Sequence, residues 1–274
     1  VNIFDEPKID GHCHILDPTR FPYAGDVAYR PQGQEIGDQE ALQGVMDCYG
    51  VQHALLVGPN SGYNRDNRCM LAAIASGQGR FKGIAVVPND ISTEELALLK
   101  AQGVVGVAMN IALNGLAYYA ASLPVMLDKL EALDLWAQFQ VEADQLVEML
   151  PLLEGSYVRM VFDHCGRPVS ALGIGQPGFA ALLSLGREGR AIVKLSGEVK
   201  FATQRFPFAD VRPYHDALLE AFGTGGCIWA SDWPYLKAPF RLDYGPMLQR
   251  WQGYLSASER RQVMFDNPKR MFGF

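Results

Sequence analysis

The sequence predicts an α/β protein, a single (β/α)8 TIM barrel over residues 1–274. Three observations carry this expectation. Eight short β-rich runs alternate with amphipathic helical stretches from one end of the chain to the other. Most of those runs are rich in Val, Ile and Leu without clean alternation, as parallel strands buried on both faces should be. The chain has 274 residues, and one such barrel commonly takes about 250. No shift in composition marks a linker, and no repeat is evident beyond the βα unit. An open doubly wound sheet is the alternative; eight evenly spaced units favour closure.

The strands are expected at Lys8–His12, His53–Val57, Phe81–Val87, Val104–Asn110, Leu135–Val141, Tyr157–Phe162, Ala191–Ser196 and Cys227–Ser231. Helical spacing appears between them. Leu42, Val45, Met46 and Tyr49 fall at i, i+3, i+4 and i+7, which predicts one helix with a buried stripe. Met126, Leu130 and Leu133 form a second stripe, and Tyr214, Ala217, Leu218 and Ala221 a third. Ser92 with Glu95 and Ser256 with Glu259 each read as a capping box opening a helix. Two connections are long, Leu16–Ile36 after the first strand and Gly197–Ala209 after the seventh. Long loops in a compact domain usually bind or cover something.

Composition limits the partners. The chain is 49% hydrophobic and 20% charged, with a net charge of -6. Neither a nucleic acid nor an anionic membrane suits that balance, and no basic run occurs. A small anionic substrate remains compatible, as does a homo-oligomer. The five cysteines are scattered without a Cys-x-x-Cys pair, which predicts reduced thiols and a cytoplasmic setting. No signal-peptide pattern is visible and no apolar run reaches the ~20 residues that span a bilayer. Gly173-Ile174-Gly175-Gln176-Pro177-Gly178 has the spacing of a dinucleotide loop, but it follows a loop and contains Pro177. It is expected to be a turn into a helix near Phe179.

The chemistry-bearing residues fall at strand ends, where a barrel keeps its active groups. Asp10-Gly11-His12-Cys13-His14 closes the first strand, and residues two apart on a strand share a face. His12 and His14 therefore aim two imidazoles at one place, and alternation turns Cys13 away. His164 closes the sixth strand and Asp232 the eighth. Lys194 shares a face with Ser196 on the seventh; if buried it needs a partner, and a structural ion pair is expected.

This constellation resembles the amidohydrolase superfamily, specifically its amidohydrolase-2 branch. Within that branch it is similar to the 2-pyrone-4,6-dicarboxylate lactonase group. The matching stretches are Arg20-Phe21-Pro22-Tyr23, Asp66-Asn67-Arg68, Asp163-His164-Cys165-Gly166-Arg167-Pro168, Lys194-Leu195-Ser196, Ser231-Asp232-Trp233-Pro234 and Asp266-Asn267-Pro268. The resemblance implies a lactone hydrolase with His12, His14, His164 and Asp232 as catalytic residues. It also marks Tyr29, Ser61, Gln140 and Lys200 as substrate-binding. Arg167, three residues past His164, can hold a substrate carboxylate with its planar fork. Asp232 is expected to take a proton from water, and the histidines to donate hydrogen bonds to the lactone oxygen as it becomes negative.

Metal-using members of the superfamily usually add a strand-5 His or a strand-4 Lys or Glu. Here strand 5 ends Gln138-Phe139-Gln140-Val141-Glu142 and strand 4 ends Ala108-Met109-Asn110. His53 begins strand 2 and His215 lies in a predicted helix. A metal-free site without cofactor is therefore expected. The alternative is Zn²⁺ or Mn²⁺ held by His12, His14 and Asp232, with help from Glu142, in a metal-dependent hydrolase or decarboxylase. One departure bears on the substrate. The lactonases resembled here carry arginines at and just after the end of strand 4, where this chain has Ala108 and Asn114. A lactone with fewer carboxylates, or a sugar-acid ring, is expected.

Overall fold

A computed structural model describes residues 2–274. Eight parallel strands form one sheet in chain order. They are β1 (Lys8–Cys13), β2 (Val51–Val57), β3 (Phe81–Ala85), β4 (Val104–Asn110), β5 (Trp136–Gln140), β6 (Met160–Phe162), β7 (Ala191–Leu195) and β8 (Cys227–Trp229). Past β8, Trp233 makes an isolated parallel bridge with Cys13 of β1. The last strand thus returns to the first, and the architecture is a (β/α)8 barrel. One principal helix follows each strand: α1 (Gln39–Cys48), α2 (Arg68–Ser76), α3 (Thr93–Ala101), α4 (Leu123–Ala132), α5 (Gln145–Leu153), α6 (Pro177–Arg187), α7 (Arg212–Phe222) and α8 (Tyr244–Gln249).

The strand ends depart from expectation for local reasons. β3 stops at Ala85 because the Asn67 side chain takes over the backbone groups of Val86. Asn67 Nδ2 donates to the Val86 carbonyl at 2.8 Å, and the Val86 N–H donates to Asn67 Oδ1 at 3.2 Å. β2 begins at Val51, so His53 lies within it, with its ring 5.2 Å from that of Phe274. β6 is three residues long, and Tyr157, expected at its start, is 87% exposed.

The chain packs as two compact units. One is the chain up to Val86 with Ala101–Val105 and Trp229–Phe274. Its core includes Ile9, Leu55, Leu56, Ile84, Trp229 and Val263. α1 opens on Asp38, whose side chain accepts the Ala41 N–H, and buries Leu42 and Met46. Val45 and Tyr49 of the same stripe are only half-buried. The other unit is Val87–Lys100 with Gly106–Ile228. There the Phe139 and Phe162 rings pack tilted across β5 and β6 with centroids 5.5 Å apart, and Val161, Val193 and Leu195 are also buried. Each such side chain contributes about 1.5–3 kcal/mol by leaving water. Both capping boxes form: the Glu95 N–H donates to Ser92 Oγ at 3.1 Å, and Ser256 is paired in the same way with Glu259.

All five cysteines are free thiols, with Cys48 exposed and the others buried. Among the described residues no helix is long and apolar enough to cross a membrane.

The glycine-rich stretch at 173–178 is a turn leading into α6, which starts at Pro177. Its last glycine serves packing. A Cβ on Gly178 would lie 1.9 Å from the Ala143 carbonyl oxygen, and its N–H donates to Asp144 Oδ1 at 2.8 Å. Gly178→Ala is therefore expected to lower the unfolding free energy by about 1–3 kcal/mol or more through overpacking, as read by denaturant titration.

Lys8 is fully buried at the start of β1, where Nζ donates to the Ile3 carbonyl at 2.6 Å and to that of Glu6. Burial pushes its ammonium down to about 8 from the usual 10.5, against the opposing pull of Glu6 and Asp5. The charged form is thus disfavoured by folding. That penalty is complete below about pH 8 and is relieved as pH climbs towards 10.5. The stability of the wild type relative to Lys8→Met should rise across that window and stay flat below it. A gap that does not change with pH would refute the assignment.

Candidate active site

In the first unit, β1 and the extension of β8 are joined by backbone hydrogen bonds at their ends. The Asp232 N–H donates to the His12 carbonyl, and the His14 N–H to the Trp233 carbonyl, both at 2.8 Å. Beneath them the buried Asp10 carboxylate accepts from the Ser231 N–H at 2.9 Å, the His12 N–H at 3.2 Å and the Tyr244 hydroxyl at 2.9 Å. Burial raises the Asp10 carboxyl pKa, and these hydrogen bonds pull it back. Asp232 sits in the left-handed region at φ 61°, which Asp tolerates better than most residues.

This local geometry sets three side chains together. His12 Nε2 lies 3.8 Å, and His14 Nε2 3.5 Å, from Asp232 Oδ1. The two rings stand edge to face with centroids 4.9 Å apart. All three residues are buried. His14 Nδ1 is 2.8 Å from the Val57 carbonyl at the end of β2. A carbonyl only accepts, so Nδ1 carries the hydrogen, and in the neutral ring the electron pair is on Nε2, towards Asp232. The three groups offer ligand atoms within 4.8 Å of one another. A tetrahedral ion with bonds of about 2.0–2.2 Å spaces its ligands roughly 3.4 Å apart, so this donor set fits a divalent metal. The His14 Nδ1–H bond to the Val57 carbonyl fits as well, since metal-binding histidines usually donate the other ring N–H to a carbonyl or carboxylate.

In the second unit His164 follows β6 on a left-handed turn. His164, Cys165, Gly166 and Arg167 have φ of 51°, 57°, 72° and 44°. Each non-glycine residue there costs roughly 1–2 kcal/mol, and the surroundings hold the turn. Cys165 Sγ donates to the carbonyls of Lys194 and Ser196, each at 3.8 Å, and the Ala143 N–H donates to the Arg167 carbonyl at 3.1 Å. His164 Nδ1 meets Ser196 Oγ at 2.9 Å. The ring lies so close to Gly197 that a Cβ there would come within 2.5 Å of it. Next to it, buried Lys194 is 3.1 Å from Asp163 Oδ1 and donates to Gln138 Oε1 at 2.6 Å. Gln138 Nε2 in turn donates to Asp163 Oδ2 at 2.9 Å. Lys194 is thus the structural ion pair that its burial requires.

The remaining predicted residues are placed as follows. Arg167 Nη2 is 2.9 Å from Glu142 Oε2, so Glu142, offered as a helper ligand to a metal, pairs with a guanidinium. Gln140 ends β5 and is half-buried, as is Lys200 in the short turn Glu198–Lys200. Ser61 lies in a turn after β2, and its carbonyl accepts the Tyr63 N–H at 2.9 Å. The Tyr29 hydroxyl donates to Glu35, and Lys237 Nζ lies 4.9 Å from the Tyr29 ring centroid. Tyr29 lines a cavity of about 830 Å³ with Glu35, Tyr49, Trp233, Lys237 and Tyr244, and His12, His14 and Asp232 are not among its lining residues. His215, on α7, is buried with Nε2 3.6 Å from Glu198 Oε1. Sequence reasoning did not single out Asp10 or Ser196 as supports for the histidines. The signal for both was the two-residue alternation, Asp10 with His12 and Ser196 with Lys194.

Comparison with known proteins adds to this geometry. A family profile described as Amidohydrolase (Amidohydro_2) matches residues 9–274. The chain is 30% identical over 272 residues to a 4-sulfomuconolactone hydrolase of Rhizobium radiobacter, covering 96% of this chain and 89% of that protein. It is 25% identical over 277 residues to a 2-pyrone-4,6-dicarboxylate hydrolase of Comamonas testosteroni, covering 96% and 89% respectively. Among solved structures, a probable 2-pyrone-4,6-dicarboxylic acid hydrolase from Acinetobacter baumannii, with citric acid bound, superposes with a TM-score of 0.88. It is 28% identical, over 98% of this chain and 100% of that one. Matched by the profile over nearly its whole length, the chain belongs to the amidohydrolase family.

Proposed function

We propose that this chain is a lactonase that opens a small carboxylated or sugar-acid lactone by attack of water on the ring carbonyl, and that its own side chains suffice without a metal. The observation that carries the reading is a buried carboxylate, Asp232, with the Nε2 atoms of His12 and His14 at 3.8 and 3.5 Å from one of its oxygens. The hydrolase relatives support the substrate class.

In this reading Asp232 takes the proton from water as general base. The new oxygen–carbon bond forms as the carbonyl oxygen becomes negative, and His12 and His164 donate hydrogen bonds to it. His14 donates only as the imidazolium, because its Nδ1 hydrogen is committed to Val57. The acyl–oxygen bond then breaks, and the proton held by Asp232 passes to the leaving oxygen. Arg167, Tyr29, Ser61, Gln140 and Lys200 are the residues proposed to hold the substrate.

A second reading rests on the His14 tautomer and the spacing of His12, His14 and Asp232, which suit Zn²⁺ or Mn²⁺. Such an ion would supply Lewis-acid polarisation of the carbonyl. Both readings keep the same three residues at the centre.

Two measurements test these roles. Asp232→Asn is expected to lower kcat on a lactone panel by about 10²–10⁴-fold, the usual worth of a positioned base, with KM little changed. Activity within about tenfold of wild type would remove Asp232 from the mechanism. Elemental analysis with assays before and after chelation separates the readings. Activity that survives chelation supports the metal-free site. Loss on chelation and recovery with Zn²⁺ or Mn²⁺, at one ion per chain, supports the second reading.

A further inference from the structure

We infer that Glu142 sets the charge preference of the substrate site by occupying Arg167, and that the lactone opened here is hydroxylated and carries at most one carboxylate. The inference rests on the lactonase reading and deepens it.

Three observations lead to it. Glu142 Oε2 sits 2.9 Å from Nη2 of Arg167. Nη2 and Nε share one edge of a guanidinium, the edge that grips a carboxylate with two parallel hydrogen bonds. With Glu142 on Nη2, only Nε is left on that edge. Arg167 Nε is buried and has no hydrogen-bond partner among the described residues. A substrate carboxylate can take that Nε donor, but to grip the Nε–Nη2 edge with two hydrogen bonds it must compete with Glu142 for Nη2.

The backbone on both sides of the pair is fixed, while the Glu142 side chain itself is 42% exposed. The Arg167 carbonyl accepts the Ala143 N–H at 3.1 Å, the Gln145 N–H donates to the Glu142 carbonyl at 3.1 Å, and the Glu142 N–H donates to Gln145 Oε1 at 3.0 Å. Arg167 itself is in the left-handed region at φ 44°. Displacing the Glu142 carboxylate therefore means moving a side chain whose backbone is fixed, while a second negative charge approaches it.

The polar side chains at and just after the ends of β4 and β5, Asn110, Asn114 and Gln140, are neutral amides. Asn114 Nδ2 donates to the Tyr119 hydroxyl at 2.8 Å, and that hydroxyl oxygen accepts the Asn110 N–H at 3.1 Å. Asn110 and Gln140 are register partners at the ends of β4 and β5. The Gln140 side-chain amide has no hydrogen-bond partner among the described residues. An amide offers a donor and an acceptor together, which suits hydroxyl groups; a carboxylate uses only the donor.

The test compares wild type, Glu142→Gln, Glu142→Asp and the double variant Glu142→Gln/Arg167→Gln on two lactones, a neutral aldonolactone and a dicarboxylated lactone. Glu142→Gln should raise the ratio of kcat/KM for the dicarboxylated over the hydroxylated lactone by about tenfold, acting through KM, as expected when one charge-assisted hydrogen bond is gained. Glu142→Asp keeps the charge and should keep the wild-type ratio. The double variant should lose the gain. A ratio that stays within about twofold in Glu142→Gln, or an equal fall for both lactones, would overturn the inference.

Binding keeps this test separate from the lactonase reading. Calorimetry of glutarate and gluconate is done on Asp232→Asn protein with and without Glu142→Gln. Glutarate binding about tenfold tighter with Glu142→Gln supports the role of Glu142 even if no lactone is turned over. Unchanged glutarate and gluconate affinities overturn it.

Discussion

The hydrogen-bonded seam between the end of β1 and the extension of β8 is the constraint on which the candidate site depends. Two backbone bonds, Asp232 N–H to His12 and His14 N–H to Trp233, bring together residues more than two hundred positions apart. Without them neither imidazole has a fixed relation to the carboxylate. Asp10 secures the seam from below, accepting from the backbone of both strands and from Tyr244 of α8. A buried carboxylate is costly unless its oxygens are satisfied. These donors offset that cost and fix the register, so Asp10 acts on the site through position.

The second unit meets a similar demand by another route. Its left-handed turn is unfavourable for Cys165 and Arg167 and less so for His164. It persists because Ser196, the Lys194 carbonyl and Ala143 each bond to it, while Gly197 leaves room for the His164 ring. Strain of this kind survives only where the surroundings over-determine it, and such places are commonly functional. The Lys194–Asp163–Gln138 triangle beside it keeps a buried charge paired. Breaking such a pair by removing one partner is far more costly than the pair is stabilising.

Much of the fold could be read from the chain because the β-rich runs and helical stripes are local signals. β4 matched its expected span, and both capping boxes formed. Boundaries moved where a side chain took over backbone hydrogen bonds, as Asn67 does for Val86. At α1 periodicity marked four stripe positions, but burial separated Leu42 and Met46 from Val45 and Tyr49, which line a cavity. A helical period says which residues share a face, and only the neighbouring loops decide how much of that face is covered.

The sequence by itself determined the barrel, the family and the pairing of His12 with His14, since these follow from spacing within short segments. Tertiary structure alone decided the partners. It placed the Val57 carbonyl on His14 Nδ1, which sets that ring's tautomer, and it put Glu142 on Arg167. Hydrogen-bond direction and charge pairing depend on atoms from distant segments within about 3 Å of each other, and spacing along one segment carries no record of them.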